Sequence, residues 1–418
     1  MAEYTEYSGA GMRIAAAERF EADFKEDAGA DPHEHYAAMR GGCPVVRVRK
    51  GNGLRPFLIT RYADAKAALL DPRLSKNPEY GREEIVAAGL AEVFLEGAAA
   101  LADNMLVADP PDHTRLRKLV AGQFTTRRSA ELGPRVQQIT DELIDAIAPV
   151  GRADFMADFA VQLPALVIAE LLGVPDSDRD RFRLWSQESL LPQQDPRQLA
   201  GLSALARYVA EIVERKRAAP GEDLISAMIE SRGEDRLTER ELVSSIRLLI
   251  IAGHETTVNL LGNGMLALLR DPAQADLLRE RPELVPGAVE EFLRYESPVE
   301  RATARFASQD VRIGETLIPR GSMVYVALGS ANRDAEEFPE ADRMDVSRAS
   351  SGHLAFGHGL HFCLGAPLAR LEARIAFETL LRRLTRIELD APVEDLTYQQ
   401  SVIMRGLTRL PIRFQAAV

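Results

Sequence analysis

The chain has 418 residues, of which 46% are hydrophobic and 27% are charged, a composition typical of a globular protein with a large core. Its formal net charge of −12 argues against nucleic acid or an anionic membrane surface as a partner. The two cysteines, Cys43 and Cys363, exclude a disulfide framework and a multi-cysteine zinc site, and they fit a reducing compartment.

The amino-terminal stretch carries acidic residues throughout and has no apolar run long enough for a signal peptide. The longest uncharged helical run, residues 256–269, is shorter than the roughly 18 to 20 residues that cross a bilayer. We therefore expect a cytoplasmic monomer without a membrane anchor.

The first regular elements are two short β-segments, residues 44–49 and 55–61, which flank a KGNGL turn and predict a hairpin. A short helix over residues 63–70 follows and ends before Asp71-Pro72. Further β-rich stretches are expected at about 299–330 and 395–415. Strand-forming segments near both ends suggest one sheet that closes over a single domain spanning residues 1–418.

Helical periodicity dominates from about residue 82 to residue 378, with breaks at proline-containing turns. We see no repeat of fixed period and no low-complexity linker. The predicted fold class is therefore mainly α with a smaller β-rich part.

The most informative helix begins at a Thr-x-x-Glu capping box, Thr238 and Glu241, and runs to Arg270. Its middle, residues 248–261, is apolar on nearly every face, which predicts a helix through the interior. Gly253, Glu255 and their polar neighbours interrupt that run, and a buried carboxylate is costly without a function to justify it. The alternative is a helix that simply reaches the surface there.

A second informative segment reads FGHGLHFCLG over residues 356–365. Its glycines allow tight turns and let backbone N–H groups approach the sulfur of Cys363, an arrangement suited to a thiolate. Two alternatives remain. Cys363 is a buried structural cysteine, or it is a nucleophile with His358 or His361 as its base, although no oxyanion-binding group is evident.

This segment resembles the heme-binding loop of the cytochromes P450, whose pattern Phe-x-x-Gly-x-x-x-Cys-x-Gly is matched by Phe356, Gly359, Cys363 and Gly365. The resemblance implies the cytochrome P450 fold, with a long central helix over a heme b. It implies that Cys363 is the axial ligand of the iron. Phe356 and Gly357 are then expected to contact the cofactor.

Residues 252–257, AGHETT, are similar to the oxygen-activating stretch of that family. The resemblance implies that Glu255 and Thr256 relay protons to iron-bound dioxygen. It also implies that the helix opens at Gly253 and holds ordered water.

Glu291 and Arg294 match the Glu-x-x-Arg pair of the family, and their position before Ser297-Pro298 favours them over other pairs with this spacing. The resemblance implies a structural pair that supports the heme loop, with Arg348 as a candidate third partner. The other pairs with the same spacing are Glu79/Arg82, Glu214/Arg217 and Glu340/Arg343.

The resemblance also assigns ligand contacts. Cationic side chains suit the two heme propionates, and the expected donors are His113, Arg117, Arg305 and His361. Substrate contacts are expected in regions 82–107 and 190–202 and at Ile251, Ala252, Val299, Ile403 and Met404. Arg301 either meets a polar group of the substrate or, as we expect, faces solvent.

The implied activity is that of a heme-thiolate monooxygenase, which inserts one atom of O2 into a hydrophobic small molecule by hydroxylation or epoxidation. A polyketide or macrolide, terpenoid or steroid-like natural product is the expected substrate. Electrons are expected from NAD(P)H through a separate ferredoxin or flavodoxin and its reductase, which would dock on a basic face containing Arg115, Lys118, Arg370 and Arg374. The alternatives are a peroxygenase on the same scaffold and a non-catalytic heme sensor.

Overall fold

The computed structural model describes residues 31–49, 53–91, 103–189, 195–230, 236–349 and 351–417. The α-helices are α1 His33–Gly42, α2 Tyr62–Leu70, α3 Arg82–Ala87, α4 Asp112–Ala121, α5 Thr126–Glu131, α6 Gly133–Ile147, α7 Gln162–Leu171, α8 Arg179–Ser189, α9 Pro196–Ala218, α10 Leu224–Glu230, α11 Glu239–Arg270, α12 Pro272–Glu280, α13 Val285–Tyr295, α14 Leu328–Ala331 and α15 Ala366–Arg383. The strands are β1 Val45–Arg47, β2 Phe57–Ile59, β3 Leu74–Ser75, β4 Arg152–Asp154, β5 Arg305–Ala307, β6 Val311–Ile313, β7 Thr316–Ile318, β8 Met323–Val326, β9 Leu384–Leu389 and β10 Pro411–Ala416.

The chain divides into two compact units. Among the described residues, the β-rich unit comprises those within Met1–Ala99, Val299–Arg343 and Leu354–Phe362, and the helical unit comprises those within Ala100–Pro298, Met344–His353 and Cys363–Val418. The expectation of a single domain stays a prediction. Within the described ranges, no helix combines the length and the apolar character that a membrane span requires.

The predicted hairpin is present in the β-rich unit. Strand β1 pairs antiparallel with β2, with Val45 opposite Ile59. Helix α2 follows as the sequence predicts, although the turn residues 50–52 lie outside the described residues. Residues 92–102 and 190–194 of the expected substrate regions also lie outside them.

The prediction of one sheet is wrong. The β-rich unit has a five-stranded sheet in the order β1-β2-β8-β5-β3, whereas β10 belongs to a separate sheet with the order β4-β10-β9 in the helical unit. In β10, Ile412 and Phe414 are buried while Arg413 is exposed. That alternation shows that one face of the strand is covered, but it does not specify a pairing partner, which tertiary packing selects.

Helix α11 dominates the helical unit, where it packs against α7, α13 and α15. Its capping box forms as the sequence predicts. The Thr238 hydroxyl accepts from the Glu241 N–H at 3.3 Å, and the Glu241 carboxylate accepts from the Thr238 N–H at 2.7 Å. The second half of the helix, residues 257–268, is buried throughout.

Candidate active site

The loop before Cys363 is shaped by two glycines of the β-rich unit. Gly357 and Gly359 adopt φ values of 72° and 71°, a region that side-chain-bearing residues rarely occupy. A Cβ on Gly359 would also lie 2.8 Å from Cδ2 of Leu70. Glycine is therefore required at both positions. Gly357 is required by its conformation, and Gly359 by its conformation and by its close approach to Leu70.

Cys363 itself lies in the helical unit, three residues before the start of α15. Desolvation by the surrounding protein raises the pKa of its thiol, while the backbone N–H groups of Gly365 and Ala366 and the charges of Arg117 and Arg370 act in the opposite direction. Although the pKa is raised overall, these N–H groups and cations favour the thiolate form, so the residues fit the sulfur ligand of a heme iron.

His113 and Arg117 lie one turn apart on α4, where His113 is fully buried. Desolvation lowers the pKa of Arg117, and the nearby sulfur of Cys363 only partly offsets this shift. Burial lowers the pKa of His113 as well, with a smaller contribution from the charge of Arg117. Two nitrogen donor side chains, of which only Arg117 is a cation near pH 7, therefore share one helix in the same unit as Cys363.

A stripe of accessible surface runs along the middle of α11. Its members are spaced three and four residues apart and so share one helix face. Ile251 is 36% exposed although it lies in a mostly buried helix. The stripe consists of Leu248, Ile251, Ala252, Glu255 and Thr256. It therefore places the expected acid and alcohol beside the two expected substrate contacts of this helix.

Burial raises the pKa of Glu255, which favours its protonated form. The Thr256 hydroxyl donates to the Ala252 carbonyl at 2.7 Å, which leaves the lone pairs of its oxygen available to accept. The adjacent Thr257 hydroxyl donates to the Gly253 carbonyl at 3.4 Å. Glu255 can thus hold a proton, and the hydroxyl of the residue that follows it can accept a hydrogen bond.

The expected opening of the helix at Gly253 is wrong. Helix α11 is continuous from Glu239 to Arg270. A Cβ at Gly253 would lie 3.3 Å from Cδ1 of Ile168, so this glycine permits close packing on α7 instead.

The sequence offered no signal for the role of His254. This residue is buried, and its Nε2 donates to the Val161 carbonyl at 3.0 Å. Desolvation lowers its pKa to about 4, and the bond to Val161 acts in the opposite direction. The ring is therefore neutral near pH 7 and fixes α11 immediately before the acid–alcohol pair.

Glu291 and Arg294 form a bidentate ion pair at 2.7 and 2.8 Å, and both side chains are 0% exposed. Glu291 also accepts from the Asp345 N–H at 2.9 Å and from Arg348 Nε at 3.3 Å. The three other Glu-x-x-Arg pairs lie on the surface, with side chains at least 41% exposed. Burial thus distinguishes a pair that spacing alone could not.

A second ionic cluster has no sequence signature, because its members are far apart in the chain. Arg370 donates twice to Glu290 at 2.7 Å, and His353 Nε2 lies 3.1 Å from the same carboxylate. Burial by itself raises the pKa of Glu290, but these hydrogen bonds outweigh it and lower the pKa to about 2.

These ion pairs weaken the expected basic docking face. Arg370 pairs with Glu290, Arg115 pairs with Glu241, and Arg374 lies 3.7 Å from Glu378. Carboxylates therefore neutralise these three arginines within the chain.

The remaining expected ligand residues of the β-rich unit are placed as follows. Arg305 is buried on β5 and donates to the Leu74 carbonyl at 3.2 Å, and His361 ends a single 3-10 turn in the glycine loop. Val299 packs against the apolar core of this unit. The expectation for Arg301 is wrong, because it is 12% exposed and binds Glu300 at 3.0 Å and the Tyr36 hydroxyl at 2.9 Å.

Ile403 and Met404 lie in the helical unit within residues 397–408, which form a hairpin through the paired residues Tyr398 and Leu407. Both side chains keep part of their surface accessible. We refer to residues 397–408 as the C-terminal hairpin.

Comparison with known proteins identifies the family of the chain. The family model described as Cytochrome P450 matches residues 189–411. The vitamin D(3) 25-hydroxylase of Pseudonocardia autotrophica is 46% identical over 386 residues, which are 91% of this chain and 93% of the relative. The 6-deoxyerythronolide B hydroxylase of Saccharopolyspora erythraea is 42% identical over 389 residues, covering 92% and 96%.

The solved structure of the tirandamycin C-bound P450 monooxygenase TamI superposes with a TM-score of 0.84 at 45% identity, covering 92% of this chain and 98% of that one. The chain therefore belongs to the cytochrome P450 family and is a monooxygenase of that family. Membership implies a heme cofactor and confirms the fold class expected from the sequence.

Proposed function

We propose that this monooxygenase hydroxylates or epoxidises a hydrophobic polyketide or macrolide, with Cys363 as the thiolate ligand of heme b. The observation that supports the ligand most directly is the position of Cys363 directly after a loop shaped by Gly357 and Gly359, with two backbone N–H groups and Arg117 opposing the rise in the pKa of its thiol. When bound, the heme supplies the activation of O2, one atom of which enters the substrate while the other leaves as water. His113, Arg117, Arg305 and His361 are the proposed propionate donors, and Phe356 and Gly357 the proposed heme contacts.

Glu255 and Thr256 are the proposed catalytic residues of the chain. Glu255 holds a proton because burial raises its pKa, and the Thr256 hydroxyl, oriented by its bond to the Ala252 carbonyl, would accept a hydrogen bond from the group or water that delivers that proton. The apolar side chains of Ile251, Ala252, Val299, Ile403 and Met404 are the proposed substrate contacts and would exclude water. The acid–alcohol pair favours O2 over peroxide as the oxidant and favours catalysis over sensing.

The sulfur ligand is tested with Cys363→Ala and the matched control Cys43→Ala. The reduced, CO-bound parent and the Cys43 variant should show the red-shifted Soret band of thiolate ligation, and the Cys363 variant should lack it. A red-shifted band that persists in Cys363→Ala would overturn the assignment.

Substrate class is tested by adding a panel of compounds and measuring the low-spin to high-spin shift of the heme. The relatives act on 6-deoxyerythronolide B in one case and on vitamin D(3) in another, so the panel should contain both. We expect polyketide lactones to give the larger shift. A shift with secosteroids alone would assign the steroid-like class instead.

We further propose that a separate ferredoxin or flavodoxin delivers electrons one at a time from NAD(P)H. An electrostatic interface would make the reduction rate fall with rising salt. Pairing within the chain reduces the expected contributions of Arg115, Arg370 and Arg374. Lys118 is exposed on α4 and is a further proposed contact. A rate of reduction that does not depend on salt would contradict this interface.

A further inference from the structure

Asn263 connects the catalytic helix to the C-terminal hairpin. It lies on α11 about two turns after Glu255 and Thr256, and it is buried. Its Nδ2 donates to the carbonyl oxygens of Glu296 at 3.3 Å and Arg405 at 2.9 Å. Because one amide group has two N–H donors, both are used in joining the end of α13 and the hairpin to α11.

The hairpin is held in one shape by its own backbone. The Gln399 N–H donates to the Gly406 carbonyl at 2.8 Å, and the Thr408 N–H donates to the Thr397 carbonyl at 2.9 Å. At its tip, the Ser401 hydroxyl accepts from the Met404 N–H at 3.0 Å. The tip presents three partly accessible apolar side chains, those of Val402, Ile403 and Met404.

The base of the hairpin is fixed through Arg405. Its Nε donates to Glu296 at 3.0 Å, with both side chains no more than 10% exposed. The Arg405 guanidinium lies 4.1 Å from the centroid of the Tyr398 ring. The backbone N–H of Arg405 donates to the Pro298 carbonyl at 2.9 Å. The residues around Asn263 therefore form a rigid base for the apolar tip.

Gly406 brings the hairpin backbone directly against α11. A Cβ at this position would lie 1.8 Å from Oδ1 of Asn259, so no larger residue fits without movement. Asn259 follows Glu255 by one turn on the same helix. Two residues of α11 thus hold the hairpin in place. Asn259, one turn after Glu255, packs against Gly406, and Asn263, one turn further on, binds the Arg405 carbonyl.

We propose that Asn263 is a positioning residue that determines substrate specificity. By holding the hairpin on α11, it sets the distance between the apolar tip and the pair Glu255 and Thr256. This inference rests on the proposed function, because it assumes that Ile403 and Met404 contact the substrate.

The anchoring is tested first without any substrate. In Asn263→Ser the short hydroxyl cannot span both carbonyls, so amide hydrogen exchange over residues 397–408 of the heme-loaded protein should accelerate about tenfold. Thr379→Val is the control, since it removes a buried hydroxyl that bonds Ile375 and Gln137. Exchange over residues 397–408 that is unchanged in Asn263→Ser, or equally accelerated in the control, would overturn the anchoring.

Specificity is tested with two probes that bind the heme-loaded protein, the small ligand 4-phenylimidazole and the large ligand 6-deoxyerythronolide B. Asn263→Ser should weaken the large probe about tenfold and the small probe less than twofold. Tyr398→Leu, a milder change at the base of the hairpin, should act in the same direction. Equal losses for both probes would show that Asn263 serves stability alone.

The two proposals fail in different ways. If no polyketide shifts the spin state of the parent, the proposed substrate class fails, and the Asn263 comparison is made with the panel compound that binds best. If polyketides bind the parent and Asn263→Ser alike, the specificity role fails while the proposed function stands.

Discussion

Glu255 and Thr256 differ in what their surroundings do to them. Burial raises the pKa of the Glu255 carboxyl, so this residue keeps a proton at higher pH than an exposed glutamate would. The Thr256 hydroxyl is oriented by its bond to the Ala252 carbonyl. At the scale of single residues, one side chain therefore favours its protonated form, and its neighbour in the chain is oriented to accept a hydrogen bond.

Thr256→Ala should uncouple electron consumption from product formation. We expect product formed per NAD(P)H to fall about tenfold or more, because a positioned proton donor or acceptor contributes at least that factor. Thr257→Ala is the matched control, since Thr257 also donates to a helix carbonyl, at 3.4 Å, but is buried. The measurement is the ratio of product to NAD(P)H consumed, and an unchanged ratio in Thr256→Ala would contradict the relay.

Glu372 makes the stability of the protein depend on pH. It is buried on α15, its Oε2 has no hydrogen-bond partner among the described residues, and burial raises its pKa from 4.5 to about 8. Between these two values the folded chain holds a proton that the unfolded chain has released. The free energy of unfolding therefore falls as pH rises from about 4.5 to about 8.

Glu372→Gln should remove this loss of stability at higher pH, because glutamine has no proton to release in this range. We expect the Tm of the variant to exceed that of the parent by roughly 2 °C or more at pH 8, and by less at pH 5, where the parent carboxyl is protonated. Glu378→Gln on the same helix, a third exposed and near Arg374, serves as the control and should show little pH dependence. A Tm difference that is the same at both pH values would refute the effect.

At the scale of elements, the start of α11 is stabilised by local hydrogen bonds, whereas its middle is held by tertiary contacts. Its capping box is purely local, and Glu241 also binds Arg115 of α4, which ties the start of the catalytic helix to the helix of His113 and Arg117. Its middle is held by packing, as at Gly253 on α7 and at His254 on the Val161 carbonyl.

Thr238→Ala should lower the free energy of unfolding by about 1 kcal/mol, because the first N–H groups of α11 lose a partner. Thr125→Ala is the comparison, since Thr125 caps the short helix α5 through a single bond to the Arg128 N–H at 3.3 Å. Urea unfolding of both variants measures the difference. A loss in Thr125→Ala that equals or exceeds that of Thr238→Ala would contradict a special role for the α11 cap.

Beyond single elements, two ionic clusters hold the segment 344–353 within the helical unit. Glu291 with Arg294 and Arg348 ties it to α13, and Glu290 with His353 and Arg370 ties it to both α13 and α15. The Glu290 cluster therefore supports the first turns of α15, which begins three residues after Cys363.

Glu291→Gln leaves the fully buried Arg294 guanidinium without its counter-charge. We expect a loss of about 3 to 5 kcal/mol in the free energy of unfolding and a lower yield of heme-loaded protein. Glu79→Gln is the matched control, because Glu79 and Arg82 share the same spacing on the surface, where their side chains are 53% and 54% exposed. Comparable losses in the two variants would show that burial does not determine how much such an ion pair contributes to the free energy of unfolding.

The sequence by itself determined the local features and the chemistry. Capping boxes, glycine turns and helical periodicity depend on neighbouring residues, so the start of α11 and the loop before Cys363 were predictable, and the motif around Cys363 identified the family. Only the tertiary structure decided which distant groups meet. The separate sheet of β10, the bond of Arg301 to the Tyr36 hydroxyl, the second cluster on Glu290 and the bonds of Asn263 all join residues that no periodicity relates. The physical cause of these pairings is packing. It removes remote polar groups from water together, and each then forms the hydrogen bonds that the other needs.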